Sequence, residues 1–373
     1  MFLSKISKFF VCTLITTAMV FVTSCGGGSD TIVGPNISEG RWGHTATKLT
    51  DGKVLIVGGQ AKPSKTLDSA EIFDPVSSTF ASAGKMSTKR GDGLSSVLLN
   101  SGKVLVFGDT EDGSAELYDP ASGTWSLTGS LNAPRAFASA DLLDDGRVLV
   151  SGGTDVTKSG DVQFASSEIY DPVSGQWTMT GDMLEIHSGH SSVLLDGKVV
   201  IFGQTLAEMY DPDTGVWSSL GAPAVERSRG TSAIILQSGK VMIAGGEWKQ
   251  PGWQGQVHVM ATIQTFDPSS NVFSSSEIPS MTAPHIYQST FLQDDGVLVV
   301  GTAGIETYNP TTKLWTEVAK FTSDRGTDTN GAPSGTKLDD GRILVIGGKI
   351  ETDDGKYIGI ATSEIYDPSV ATE

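Results

Sequence analysis

The 373 residues predict an all-β chain closed into a seven-bladed propeller with four antiparallel strands per blade. Three observations carry that expectation. A phrase of about 48 residues recurs seven times, glycine replaces charge in the composition, and the apolar runs are short and uninterrupted. Glycine supplies 45 residues, while Asp, Glu, Lys and Arg together make only 18% of the chain. That balance suits short strands and tight turns better than long solvated helices.

Within each repeat an apolar strand leads through a glycine turn to a second apolar strand, then to E-[IL]-[YF]-D-P and an aromatic residue. The third repeat is the clearest, with Leu142–Gly146, Arg147–Val150, Gly152-Gly153, Glu168–Pro172, Gly175 and Trp177. Runs such as Val148–Val150 and Val297–Val300 are apolar on both faces, as strands buried between neighbouring sheets must be. Asp-Gly and Ser-Gly between two such runs fit two-residue hairpins, where glycine accepts positive φ. Proline fixes φ in the D-P turns at Pro75, Pro120, Pro172, Pro212, Pro268, Pro310 and Pro368. Trp125, Trp177, Trp217 and Trp315 each stand five residues after that proline, with Phe80 and Phe273 in the same place in repeats one and five. Rings of that size at a fixed offset are expected between blades, each contributing roughly 1.5–3 kcal/mol when buried.

These residues resemble the kelch family, including its bacterial galactose-oxidase-like variant with L-x-D-G-[KR]-V-L-V-x-G-G and Y-D-P-x-[TS]-G-x-W phrases. The resemblance covers about residues 41–368. It implies the propeller fold and leaves activity open, because this fold hosts enzymes, adaptors and binding modules alike. Galactose oxidase builds a copper site on a tyrosine–cysteine crosslink; no cysteine follows Cys25, so no such cofactor is expected and none other is indicated.

The last repeat lacks a strand, since only five residues follow Pro368. Alignment of Arg41 with Arg135 places Thr31–Ile37 on an outermost strand, which is expected to pair with blade seven and remove an exposed edge. Ahead of it, Lys5 and Lys8 precede the apolar run Phe9–Val22, too short to span a bilayer and suited to a secretory signal. Val22-Thr23-Ser24-Cys25 resembles a bacterial lipobox. The expected organisation is therefore a signal peptide over 1–24, a lipidated Cys25 with a glycine-rich tether over 25–30, and the propeller over 31–373. Gly26, where aspartate would signal inner-membrane retention in many Gram-negative bacteria, points to the outer membrane or cell surface. With 43 acidic against 26 basic residues, a net charge of −17 and a pI near 4.6, the chain lacks the clustered cations that nucleic acid requires.

Loop lengths distinguish the two ends of the propeller. The Asp-Gly and D-P turns of one end are short and alike. At the other end blades one, three, five and seven carry long loops, Gln60–Ser69, Thr154–Ser167, Glu247–Thr262 and Lys349–Ser363, where binding usually resides. Trp42, Trp248 and Trp253 depart from the blade pattern; the last two share the blade-five loop with His258. They are candidates for stacking on a sugar or anchoring a partner, or for folding down as a lid. A second constellation opens the first strands: Arg41, Arg90, Arg135, His187, Arg227, His285 and Arg325, with Arg229 competing for the fifth place. Convergent guanidiniums near the channel mouth suit an anion, while arginines paired with loop carbonyls and acids would be structural. The five histidines show no metal-ligand spacing and no catalytic set is identifiable. The expected function is a lipid-anchored extracytoplasmic binding module that holds a glycan or protein partner on its long-loop face. The alternative is a mutarotase-like enzyme acting on an acidic sugar at the channel mouth.

Overall fold

Apolar runs and turn residues fold where their pattern places them, into seven four-stranded antiparallel sheets around a central axis. The computed structural model describes residues 31–158, 162–249, 257–294, 296–302, 304–325 and 331–370; Cys25, the expected signal segment and tether, and Trp253 lie outside them. Blade three runs Ser139–Leu142, Val148–Ser151, Ser167–Asp171 and Gln176–Met179 from the axis outward. The other blades repeat this order. The second strands, such as Val54–Val57, Val104–Phe107 and Ile343–Ile346, are buried at every residue, because a neighbouring blade covers each face.

Blade seven closes the ring as the sequence predicts. Its three inner strands are Ser334–Lys337, Ile343–Ile346 and Ser363–Tyr366, and its outermost strand is Thr31–Val33 from the other end of the chain. Thr31 pairs with Tyr366, Ile32 with Ile365 and Val33 with Glu364. The Gly34 N–H donates to the Ser363 carbonyl at 2.9 Å and the Ile37 N–H to the Ala361 carbonyl at 2.9 Å, so the stretch extends to the buried Ile37.

The repeat aromatics stack on the tyrosine or phenylalanine of the preceding strand, with ring centroids 4.9 Å apart for Tyr170–Trp177 and 5.2 Å for Tyr210–Trp217. The Trp177 ring also meets Phe107 of blade two edge-on, and its Nε1 donates to the Gly129 carbonyl at 2.8 Å. These tryptophans are therefore bolts between blades. In the D-P turns the Asp74, Asp119, Asp171, Asp211 and Asp267 carboxylates each accept the N–H two residues on, an Asx turn that closes the loop without help from other segments.

The long loops of blades one, five and seven form ribbons: Gln60–Lys62 against the start of Lys65–Asp74, Glu247–Lys249 against Val257–Val259, and Lys349–Glu351 against Tyr357–Gly359. In blade three, Thr154–Asp155 pairs with the lead-in Arg135–Ala136. All four rise from one end of the propeller.

Candidate functional site

The basic residues that open the first strands build the blades. Arg41, Arg90, Arg135 and Arg325 are fully buried. Each donates Nη1 to a carbonyl of the glycine that ends the second strand: Gly58 at 2.9 Å, Gly108 at 3.2 Å, Gly152 at 2.8 Å and Gly347 at 2.7 Å. Each also meets the glutamate of its own blade's E-[IL]-[YF]-D-P phrase. Arg135 lies 2.9 Å from Glu168 and Arg325 2.8 Å from Glu364; Arg41 meets Glu71 at 3.1 Å and Arg90 meets Glu116 at 3.4 Å. His187 and His285 stand in the same place, 3.0 Å from Glu208 and 2.9 Å from Glu306.

The same glutamates clamp the lead-in backbone. Glu168 accepts the N–H groups of Asn132 and Ala133, and Glu208 those of Leu184 and Glu185. Burial lowers the arginine pKa values against the raising effect of each glutamate. The expected ring of cations is present, but six of its seven members face inward to blade carboxylates. They do not gather as an open anion pocket at the axis. Sequence reasoning missed the glutamates' part, although their recurrence in every repeat but the fifth was the available signal.

The axial mouth is lined by the residues that follow that ring. A cavity of about 320 Å³ opens there, lined among others by His44, Asp92, Phe137, His190 and Tyr287. It sits on the end that carries the long loops. Around it the backbones are laced blade to blade: the Phe137 N–H donates to the Gly93 carbonyl, Gly189 to Phe137, Gly230 to Gly189 and Tyr287 to Gly230, all at 2.8–2.9 Å. This lacing demands a left-handed backbone. Gly43, Gly189 and Gly230 supply it with φ of +61°, +64° and +70°. Blades three and six put Phe137 (φ +57°) and Tyr287 (φ +51°) in that place instead. A left-handed non-glycine residue costs roughly 1–2 kcal/mol, and strain of this kind clusters at functional sites.

Blades two and five insert one residue before their glycine, in Arg90-Gly91-Asp92-Gly93 and Arg227-Ser228-Arg229-Gly230. The inserted residues are charged. Asp92 lies beside Gly43; burial and the nearby Asp109 push its carboxyl up to about 6, against the pull of Lys349 and Arg229. Arg229 Nε donates to Glu247 at 2.7 Å. Burial pushes the Tyr287 hydroxyl up to about 12. Of these side chains Asp92, Phe137 and Tyr287 were not singled out in the sequence, and Arg229 was noted only as a competitor of Arg227. Their signal was local: an aromatic or an inserted charge where sister blades hold glycine.

The tryptophan candidates divide. Trp42 is buried, bridged to Gln60 and roofed by the Lys349 ammonium, which lies 4.5 Å from the Tyr357 ring centroid and 5.9 Å from that of Trp42. Its place is under the blade-seven ribbon, not on the surface. Trp248 is half-buried opposite the exposed His258, with ring centroids 5.9 Å apart, so that the blade-five ribbon carries an aromatic pair on its rim.

His44 and His190 point into the channel wall, at 2.7 Å from Ser334 Oγ and 3.1 Å from Ser139 Oγ. Burial pushes both down to about 3. The unfolded chain takes up these protons near pH 6.5 and the folded chain does not. Their contribution to stability is therefore intact above pH 6.5 and is lost as pH falls towards 3. Asp141 and Asp92, both near 6 when folded, act oppositely: their stabilisation grows as pH falls from about 6 to 4. His190→Gln should thus flatten the loss of melting temperature between pH 4 and pH 3, where the carboxyls no longer compensate; an unaltered acid limb would exclude His190 as its source.

Residues 48–87 match the family model of the Kelch motif. The chain carries a kelch repeat. Among curated proteins it is 26% identical over 235 residues to the F-box/kelch-repeat protein SKIP30 of Arabidopsis thaliana, covering 48% of this chain and 66% of that one. It is 27% identical over 239 residues to Kelch-like protein 35 of Mus musculus, covering 62% of this chain and 36% of the relative. The chain thus spans between about a third and two thirds of the length of these relatives. Among solved structures, a fungal alcohol oxidase of the AA5 family in complex with copper superposes with a TM-score of 0.70 at 15% identity, covering 91% of this chain and 76% of the other. The structure titled YjhT superposes with a TM-score of 0.57 at 12% identity, covering 88% and 99%. Both likenesses are of fold. Among the described residues no three His, Cys, Asp or Glu side chains are grouped to hold a metal, and the donors of the axial mouth do not fit a tyrosine–cysteine copper centre.

Proposed function

We propose that the protein is a lipid-anchored extracytoplasmic interaction module that binds a glycan or protein partner on the long-loop face, with the axial cavity receiving one group of that partner. The observation that carries this reading is the pair of left-handed aromatics. Phe137 and Tyr287 keep a strained backbone where four sister blades keep glycine, and both rings line the cavity. The Trp248–His258 pair on the blade-five ribbon adds an aromatic rim. A cavity of this size, with two rings and polar groups such as Asp92, Ser95, Thr231 and Ser289 in its wall, matches a single sugar or a single large side chain. Glycan arrays and capture of surface proteins with the soluble 30–373 fragment test it: Tyr287→Gly should fold and lose the signal. Full retention of binding by Tyr287→Gly would remove the cavity from the function.

The anchor is part of the same proposal. Cys25→Ser should move the protein out of the membrane fraction or leave its precursor unprocessed, since a thioether-linked diacylglyceryl group with a further acyl chain holds a protein firmly where one chain does not. Unchanged processing and anchoring would refute lipidation at Cys25.

A second reading is favoured by Asp92. A carboxyl titrating near 6 beside a cavity is poised for general acid–base work, as a mutarotase-like enzyme acting on an acidic sugar would need. Anomer exchange that follows a pKa near 6 and disappears in Asp92→Asn would favour this reading; exchange at the solvent rate would exclude it.

A further inference from the structure

Blade five breaks the charge balance that the other six blades keep. Its position in the E-[IL]-[YF]-D-P phrase is Gln264, not glutamate, and Gln264 is buried with Oε1 accepting the Val225 N–H at 3.1 Å. The backbone clamp therefore survives without the negative charge. The cation also survives. Arg227 is only 3% exposed and donates Nη1 to the Gly245 carbonyl, the counterpart of the bonds made by Arg41, Arg90, Arg135 and Arg325. Its Nε and Nη2 have no partner. In blades one, two and three the hydroxyl two residues before the glutamate accepts from Nη2, as Ser69, Ser114 and Ser166 at 3.1–3.2 Å. The matching hydroxyl in blade five, Thr262 Oγ1, is buried and also has no partner.

A buried guanidinium without a counter-charge is costly, and each buried unbonded donor adds to the cost. Desolvation alone lowers the Arg227 pKa to about 10, so the group stays charged at neutral pH. Glu247 of the same blade is engaged through Oε1 by Arg229 and Ser228. We infer that blade five holds a monatomic anion, chloride in ordinary saline media, bound by Arg227 Nε–H and Nη2–H and by the Thr262 hydroxyl. Size selects the ion. Glutamine has the same length as the glutamate it stands for, so the carboxamide takes the carboxylate's place in the blade. A single atom asks for less room beside that carboxamide than phosphate or a sugar carboxylate does. This site is inside the blade and separate from the axial cavity, so it does not depend on the proposed binding function.

The purified full chain tests it. Melting temperatures are compared in sodium chloride, sodium bromide and sodium gluconate at equal ionic strength, for the wild type and for Gln264→Glu. The halide site predicts a wild type that melts several degrees higher in either halide than in gluconate. It predicts that Gln264→Glu supplies the missing charge, melts higher than the wild type in gluconate and loses most of the halide difference. Equal wild-type melting in halide and gluconate overturns the inference, as does a halide difference that persists undiminished in Gln264→Glu. Should that variant fail to fold, crystals of the wild type in bromide decide the matter: an anomalous peak between Arg227 and Thr262 supports the site, and its absence there overturns it.

Discussion

Arg135→Ala should lower the stability of the propeller by about 3–5 kcal/mol, the cost of breaking a buried ion pair from one side. The substitution leaves the Glu168 carboxylate, wholly buried, with no counter-ion. It also strands the carbonyls of Gly152 and Ser166, which accept from Arg135 Nη1 at 2.8 Å each. Replacing both partners, Arg135→Met with Glu168→Met, should recover only part of the loss. The buried charge is then gone, but the N–H groups of Asn132 and Ala133 lose their acceptor. Equilibrium unfolding in urea checks this ordering: wild type most stable, double variant next, Arg135→Ala least. A stable Arg135→Ala protein would mean that the ring of arginines is not what holds the lead-in segments.

Deleting residues 31–38 should be at least as damaging, on the order of 5 kcal/mol or more. Burial of Ile37 alone is worth roughly 1.5–3 kcal/mol. The Ser38 N–H and hydroxyl both donate to Glu71, at 2.9 Å in each case, and Thr31 Oγ1 donates to Glu364 at 2.8 Å. The deletion therefore disturbs the Arg41–Glu71 and Arg325–Glu364 pairs in adjacent blades as well as removing three ladder positions. It also bares the edge of Ser363–Tyr366, so the variant should aggregate on heating. An unchanged melting curve would show that the ring closes without this strand.

The fold was legible because a propeller repeats its physics. Val148–Val150, Gly152-Gly153 and Trp177 announce their roles by recurring at fixed offsets, and seven imperfect copies average out local ambiguity. Even the detached strand could be placed, since Arg41 fixed the register of Thr31–Ile37. The site was less legible because it is written in departures from the repeat. Phe137 and Tyr287 stand out only once the backbone shows that their position is left-handed. Asp92 is a single insertion that an alignment absorbs as noise, and the insertion in blade five left Arg227 and Arg229 competing for one place. The basic ring was left open: arginines recurring in an acidic chain read as struts or as an anion site, and the Glu71, Glu116, Glu168 and Glu364 distances decide for struts. Trp42 was singled out for lying off the blade pattern, but the ribbon that covers it is a tertiary feature no local spacing reveals.

Arg135 and Phe137, two residues apart, separate structure from function most directly. The measurement is a pair of melting curves with partner binding read on the same samples of Arg135→Ala and Phe137→Gly. If the arginine ring builds the blades and the residues just inside it form the working surface, Arg135→Ala melts far below the wild type. Phe137→Gly, which takes the residue that Gly43, Gly189 and Gly230 already use, then melts within a few degrees of wild type and loses binding. The opposite pattern, a stable Arg135→Ala that loses binding beside a Phe137→Gly that retains it, would return the function to the cations and take it away from the axial cavity.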